Sequence, residues 1–159
     1  MNKVYLLLGS NQHHPEKQLS IAQNYIQKEI GSIQRCSSIY QTAAWGKRNQ
    51  PDFLNQVLIV STTLTPQQTI KILLGVEKKM GRIRTIKNAP RIIDIDILFF
   101  NKEIINSPLL KVPHPRIQLR RFVLVPLNEL SPNYKHPVFN TTIHELLQNC
   151  PDTLTVNKI

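Results

Sequence analysis

The sequence predicts an α+β domain in the order strand, helix, strand, strand, helix, strand, with both helices on one face of an antiparallel sheet. Three observations predict it. The chain has 159 residues, 41% hydrophobic and 19% charged, which suits one domain (1–159) with a real core. Short Val-, Ile- and Leu-rich runs are interleaved with two stretches of three- and four-residue apolar spacing. Pro and Gly stand where one period gives way to the other.

Asn2 to Leu8 reads as the first strand, stopped at Gly9-Ser10-Asn11. Pro15 opens a helix whose apolar positions are Leu19, Ala22, Tyr25, Ile26 and Ile30, and Gly31 ends it. Ile33 to Thr42 is a second strand, and residues 43–52 form a loop. Phe53 to Leu64 is a long third strand. Thr65 offers an N-cap with Pro66 at the first helical position, opening a helix through Leu73, Leu74 and Met80 that Gly81 closes. A basic loop follows, and Arg91 to Phe100 is the fourth strand. This is the ferredoxin-like βαββαβ arrangement, which leaves the second sheet face available. A hairpin is expected within Glu103–Val112. One or two short helices should span 116–130, interrupted by Pro126, and a last helix should run from Thr142 to Cys150.

Composition excludes several classes. No apolar run approaches the ~20 residues that span a bilayer, and Val4–Leu8 is too short for a secretory core. Cys36 and Cys150 make neither a disulfide framework nor a metal quartet, so a reduced, cytoplasmic setting is expected. Cys36, in a strand, reads as a small buried apolar residue. Charge is the extreme quantity: the formal net charge is +10, and Lys78–Arg121 alone holds eleven basic and three acidic residues. The partner is therefore expected to be an anion. A local basic knot with embedded acids suits a metal-bound polyphosphate better than a diffuse nucleic-acid surface.

The strongest chemical signal is Arg91-Ile92-Ile93-Asp94-Ile95-Asp96-Ile97. Strand alternation sends the isoleucines to one face and both carboxylates to the other, roughly 7 Å apart along the strand. Like charges that close repel unless a cation lies between them, and magnesium takes few carboxylates plus waters and phosphates. A second signal is Gly81-Arg82-Ile83-Arg84 with Lys87 and Arg91, since guanidinium groups fork onto phosphate oxygens. Glu77, on the preceding helix, is placed to anchor one of these arginines or to mark only a stripe edge. Phe53 and Asn55 share a strand face and can stack on and hydrogen-bond to a flat heteroaromatic ring. No Walker loop and no G-x-G-x-x-G is present. His114 borders the basic knot beside Arg116, Arg120 and Arg121.

Taken together, Tyr5-Leu6-Leu7-Leu8-Gly9-Ser10-Asn11, Pro51-Asp52-Phe53-Leu54-Asn55, Gly81-Arg82-x-Arg84, Ala89-Pro90-Arg91-x-Ile93-Asp94-Ile95-Asp96 and Val112-Pro113-His114-Pro115-Arg116 resemble hydroxymethyl-dihydropterin pyrophosphokinase of folate biosynthesis. The motifs follow that family's order to about Leu130. The resemblance implies magnesium-dependent transfer of diphosphate from ATP, the co-substrate, to the hydroxymethyl group of a reduced pterin, releasing AMP. It casts Asp94 and Asp96 as ligands of two Mg2+ ions. Arg82 and Arg91 join them as catalytic residues, and Glu77, Arg82, Arg84, Arg91, His114 and Arg120 are cast as ATP-binding. Thr42, Trp45, Phe53, Asn55 and Phe122 form the pterin slot. It implies two small-molecule partners, no nucleic acid, no membrane and a monomer. Three positions depart from the family pattern: Ala43-Ala44 where two prolines are usual, Asn88-Ala89 where Trp-Gly is usual in a loop one residue longer, and Pro115 where an aromatic is usual. The rival readings are a basic nucleic-acid-binding module of the same strand order, which would present aromatics on its central strands, and a non-catalytic ligand-binding domain.

Overall fold

The computed structural model describes residues 1–43, 50–82 and 91–159. Its elements are β1 (Asn2–Ser10), α1 (Pro15–Glu29), β2 (Ser32–Cys36), β3 (Tyr40–Thr42), β4 (Phe53–Thr62), α2 (Pro66–Lys79) and β5 (Asp94–Phe100). A hairpin of β6 (Ile105–Asn106) and β7 (Lys111–Val112) follows, then α3 (Arg121–Leu130), α4 (Ile143–Gln148) and β8 (Asn157–Lys158). The main sheet runs β5-β1-β4-β3-β8, with β2 also on β4, and every pairing is antiparallel. With β2 and β3 taken as one interrupted strand, this is the expected ferredoxin-like order. Among the described residues no helix is long and apolar enough to cross a membrane.

The predicted strand over Ile33–Thr42 is broken, and two serines explain the break. Ser37 bonds to β4 through both backbone and hydroxyl: its N–H donates to the Val57 carbonyl at 2.8 Å, and its Oγ accepts from Val57 N–H at 2.9 Å. Ser38 N–H and the Tyr40 hydroxyl instead donate to Glu129 of α3. β2 lies at the sheet edge, which leaves Cys36 exposed rather than buried as expected. Thr65 caps α2 as predicted, in a reciprocal box with Gln68. Gly31 ends α1 because the chain there passes against β4, where a Cβ would clash with the Ser61 carbonyl oxygen.

One core lies between the sheet and α1/α2, where Leu6, Leu8, Leu58, Ile95 and Ile97 meet Leu19, Ile26, Leu73 and Val76. A second core occupies the opposite face, where Tyr5, Leu7, Val57, Ile59, Leu98 and Phe99 meet Val123, Leu124 and Leu127 of α3 and Ile143 of α4. The two helices of the βαββαβ core lie on one face as expected, but the second face, expected to stay available, is covered by the C-terminal helices except at one end. A register shift between β1 and β5 turns both Leu98 and Phe99 toward the second core. α3 also runs unbroken through Pro126. Burying Val123, Leu124 and Leu127, each worth about 1.5–3 kcal/mol, outweighs the ~3 kcal/mol that an interior proline costs.

His136 packs at the edge of this second core, 3% exposed, between Phe99 and Phe139. Its Nδ1 accepts from the N–H groups of Val138 and Phe139. Burial, helped by nearby Lys102, pushes its pKa from 6.5 down to about 4. The folded-state pKa lies below the unfolded one, so protons bind the unfolded chain more tightly and stability is lost as pH falls from 6.5 toward 4. His136 alone should contribute about 2 kcal/mol of that loss by about pH 5. Chemical denaturation at several pH values is expected to show a shallower acid slope for His136→Asn than for wild type. Identical slopes would show that His136 does not carry the effect.

Candidate active site

The open end of the second face lies where β1 finishes and β4 and β5 begin. Gly9 pairs with Asn55 on one side and with Asp94 on the other. Strand alternation then brings Phe53, Asn55, Asp94 and Asp96 to one surface, over a floor that Gly9 leaves bare. A Cβ at Gly9 would meet Asn55 Oδ1 at 2.9 Å. The resulting cavity is about 290 Å³.

Most of the residues singled out in the sequence converge on it. Thr42, Phe53, Asn55 and Phe122 supply its aromatic and amide groups, and Arg82, Arg91, Asp94, Asp96, His114 and Arg120 its charged and polar ones. Asn55 Nδ2 donates to Thr42 Oγ1 at 3.3 Å, which orients the amide. Guanidiniums lie over both rings, Arg91 over Phe53 and Arg120 over Phe122, each 5.7 Å from the centroid. Trp45 and Arg84 lie outside the described residues. Glu77 is not in the cavity wall. It is buried behind it, where Oε2 accepts from Ile95 N–H at 2.7 Å and pairs with Arg82 at 2.8 Å. This is the anchoring arrangement weighed for it in the sequence. Leu7, Gly9, Ala43 and Arg116 also line the cavity. Leu7, Gly9 and Arg116 stand inside the quoted motifs, so motif membership was the available signal.

The electrostatics divide the two aspartates. Asp94 is neutralised by Arg82 at 2.6 Å and Arg91 at 3.4 Å. Asp96 makes no hydrogen bond or ion pair among the described residues. Burial, and after it the neighbouring Asp94 and Glu77 carboxylates, push its pKa up to about 8 against the pull of Arg82 and Arg120. A half-buried carboxylate without a partner, facing a cavity beside a second carboxylate, suits a cation. The described residues hold no group of three or more His, Cys, Asp or Glu that could grip a metal alone. Two carboxylates with the rest of the shell left to water and phosphate oxygens fit magnesium.

His114 is held by its N–H, which donates to the Leu98 carbonyl at 2.9 Å, and its Nδ1 accepts from Arg116 N–H at 3.2 Å. Burial, with Arg120 close by, pushes its pKa down to about 4. The ring is therefore neutral at pH 7 with its proton on Nε2, a hydrogen-bond donor that carries no charge. Four arginines against two aspartates leave the wall positive, as a polyanion site requires.

The chain matches the 7,8-dihydro-6-hydroxymethylpterin-pyrophosphokinase (HPPK) family over residues 5–132. It is 42% identical over 147 residues to 2-amino-4-hydroxy-6-hydroxymethyldihydropteridine pyrophosphokinase of Aquifex aeolicus (strain VF5), covering 91% of this chain and 90% of that protein. It is 35% identical to the folic acid synthesis protein FOL1 of Dictyostelium discoideum, with 99% of this chain matching 24% of that longer protein. Among solved structures it resembles an HPPK-DHPS of Plasmodium falciparum with a TM-score of 0.76, at 20% identity, over 92% of this chain and 43% of that one. That last likeness speaks for the ferredoxin-like fold, and the sequence matches settle the kinship: the chain belongs to the HPPK family.

Proposed function

We propose that this chain transfers diphosphate from ATP to the hydroxymethyl group of 6-hydroxymethyl-7,8-dihydropterin, releasing AMP. The observation that carries the reading is one cavity in which an aromatic-and-amide slot adjoins two aspartates ringed by arginines. Phe53 and Phe122 sandwich the flat pterin, and Asn55 with Thr42 hydrogen-bonds its edge. Arg82, Arg91 and Arg120 pair with phosphate oxygens, Arg84 joins them, and His114 donates from Nε2. Glu77 serves ATP at one remove, by holding Arg82. Asp94 and Asp96 are the residues that would hold Mg2+, two ions in this reading; bound metal neutralises triphosphate charge and polarises the reacting phosphoryl group. The pterin hydroxyl oxygen bonds to the β-phosphorus, the bridge to the α-phosphate breaks, and the hydroxyl proton leaves to solvent. Positioning and charge neutralisation suffice, so no covalent nucleophile is required. In this reading residues 1–159 form one catalytic domain, which acts as a cytoplasmic monomer on two small molecules, with neither nucleic acid nor membrane as partner.

Incubation with ATP, magnesium and 6-hydroxymethyl-7,8-dihydropterin is expected to yield AMP in step with pterin consumed, and chelation of the metal should stop it. Pterin-dependent release of stoichiometric ADP would overturn diphosphate transfer. Absence of any pterin-dependent nucleotide product would favour a binding domain.

A further inference from the structure

Asn11 closes the first motif of the chain, and neither the fold nor the proposed reaction uses it. It is 1% exposed and does not line the cavity, yet its side chain joins two separate parts of the site. Its Oδ1 accepts from Arg91 N–H at 2.8 Å, and its own N–H donates to the Arg91 carbonyl at 3.0 Å. Its Nδ2 donates to Gln50 Oε1 at 3.1 Å and to the Pro51 carbonyl at 3.2 Å. Arg91 carries the guanidinium beside Asp94. Pro51 lies two residues before Phe53, over whose ring the Arg91 guanidinium sits. Asn11 follows directly on β1, the strand paired on both sides between β4 and β5, so its backbone is tied to the interior of the sheet.

We propose that Asn11 is a positioning residue, which holds the phosphate-side Arg91 and the segment leading into the ring-side Phe53 in one register. The inference rests on the functional reading above for what the two sides bind. The chemistry asks for an asparagine. Only a short amide offers an acceptor to Arg91 N–H and two donors to Gln50 and Pro51; aspartate lacks the donors, and serine has a single donor on a shorter stem. Transfer demands that nucleophile and phosphorus approach to contact distance, so the two halves of the site must keep their spacing within a fraction of an ångström.

The test is a double-mutant cycle between Asn11→Ala and Arg91→Ala, reading kcat and both KM values by AMP release. Asn11→Ala is expected to lower kcat roughly 10- to 100-fold with each KM moving less than about threefold, the mark of lost alignment rather than lost binding. In the Arg91→Ala background the same change should cost less than about threefold, because the backbone bonds remain but the guanidinium they position is gone. Equal losses in both backgrounds, or an unaltered kcat, would overturn the proposal. Should Asn11→Ala fail to fold, Asn11→Asp keeps the bond to Arg91 N–H and loses the donors to Gln50 and Pro51; it too should lower kcat with each KM moving less than about threefold, and an unaltered kcat would overturn the proposal. Wild-type protein that releases no AMP removes the functional reading itself, whereas AMP release by wild type with additive losses removes only the role of Asn11.

Discussion

Asp96→Ala is expected to turn over at least ~100-fold more slowly than wild type at saturating magnesium, about 2.7 kcal/mol of transition-state stabilisation. The variant should keep its fold and unfold at the same temperature or above. Asp96 makes no hydrogen bond or ion pair among the described residues, and burial with two neighbouring carboxylates already opposes its charge. Removing it relieves repulsion. Asp94→Ala should match the loss of turnover but not the stability. Asp94 is the partner of Arg82 at 2.6 Å and of Arg91 at 3.4 Å, and its removal leaves those guanidiniums facing one another. Measuring AMP release and thermal unfolding on both variants separates the two roles. Near-normal turnover in Asp96→Ala would reduce the pair to an ordinary charged surface.

Arg82→Ala should combine a turnover loss of ~100-fold or more with a stability loss of about 3 kcal/mol. Its guanidinium reaches Glu77 at 2.8 Å and Asp94 at 2.6 Å, and the Glu77 side chain is only 3% exposed. Truncation takes a counter-charge from a carboxylate that has almost no water to replace it. For a chain of this size the midpoint of unfolding should drop by roughly 10 °C. Adding Glu77→Gln to Arg82→Ala should recover part of the midpoint and none of the turnover, since it lowers the buried negative charge behind Asp94 without restoring a phosphate contact. A double variant as unstable as the single one would show that the ion pair is not what Arg82 contributes to folding. Pterin affinity should change less than turnover, because Arg82 stands on the phosphate side.

What the sequence disclosed depended on whether a period was local. Asp94 and Asp96 separate from Ile93, Ile95 and Ile97 because a strand alternates, and those isoleucines are indeed buried. The alternation fails one residue later, at Leu98-Phe99, where a register shift turns two successive side chains the same way. The bulge needs β1 as its partner, so no window of sequence displays it. Ser37 is similar: a serine inside an Ile-, Tyr- and Thr-containing run gives no sign that its hydroxyl will take over a strand's hydrogen bond. Residues 116–130 do hold two short helices, a 3-10 turn at Ile117–Leu119 and α3, but the break expected at Pro126 is absent, because packing of Val123, Leu124 and Leu127 against the sheet holds α3 together. Motif order located most of the cavity wall, and an anchor was one of the two readings that the place of Glu77 on α2 allowed. Asn11 was legible only as a stop, because both of its partners lie far along the chain.

The central place of β1 also bears on how the protein is made. β1 is synthesised before both of its neighbours, β4 and β5, so its second neighbour is complete only after Phe100 has been added. At ordinary translation rates the Val4–Leu8 run waits roughly 5–20 s for it. Through that interval no native surface covers the run on its β5 side, which leaves an apolar strand edge open to pairing with other chains.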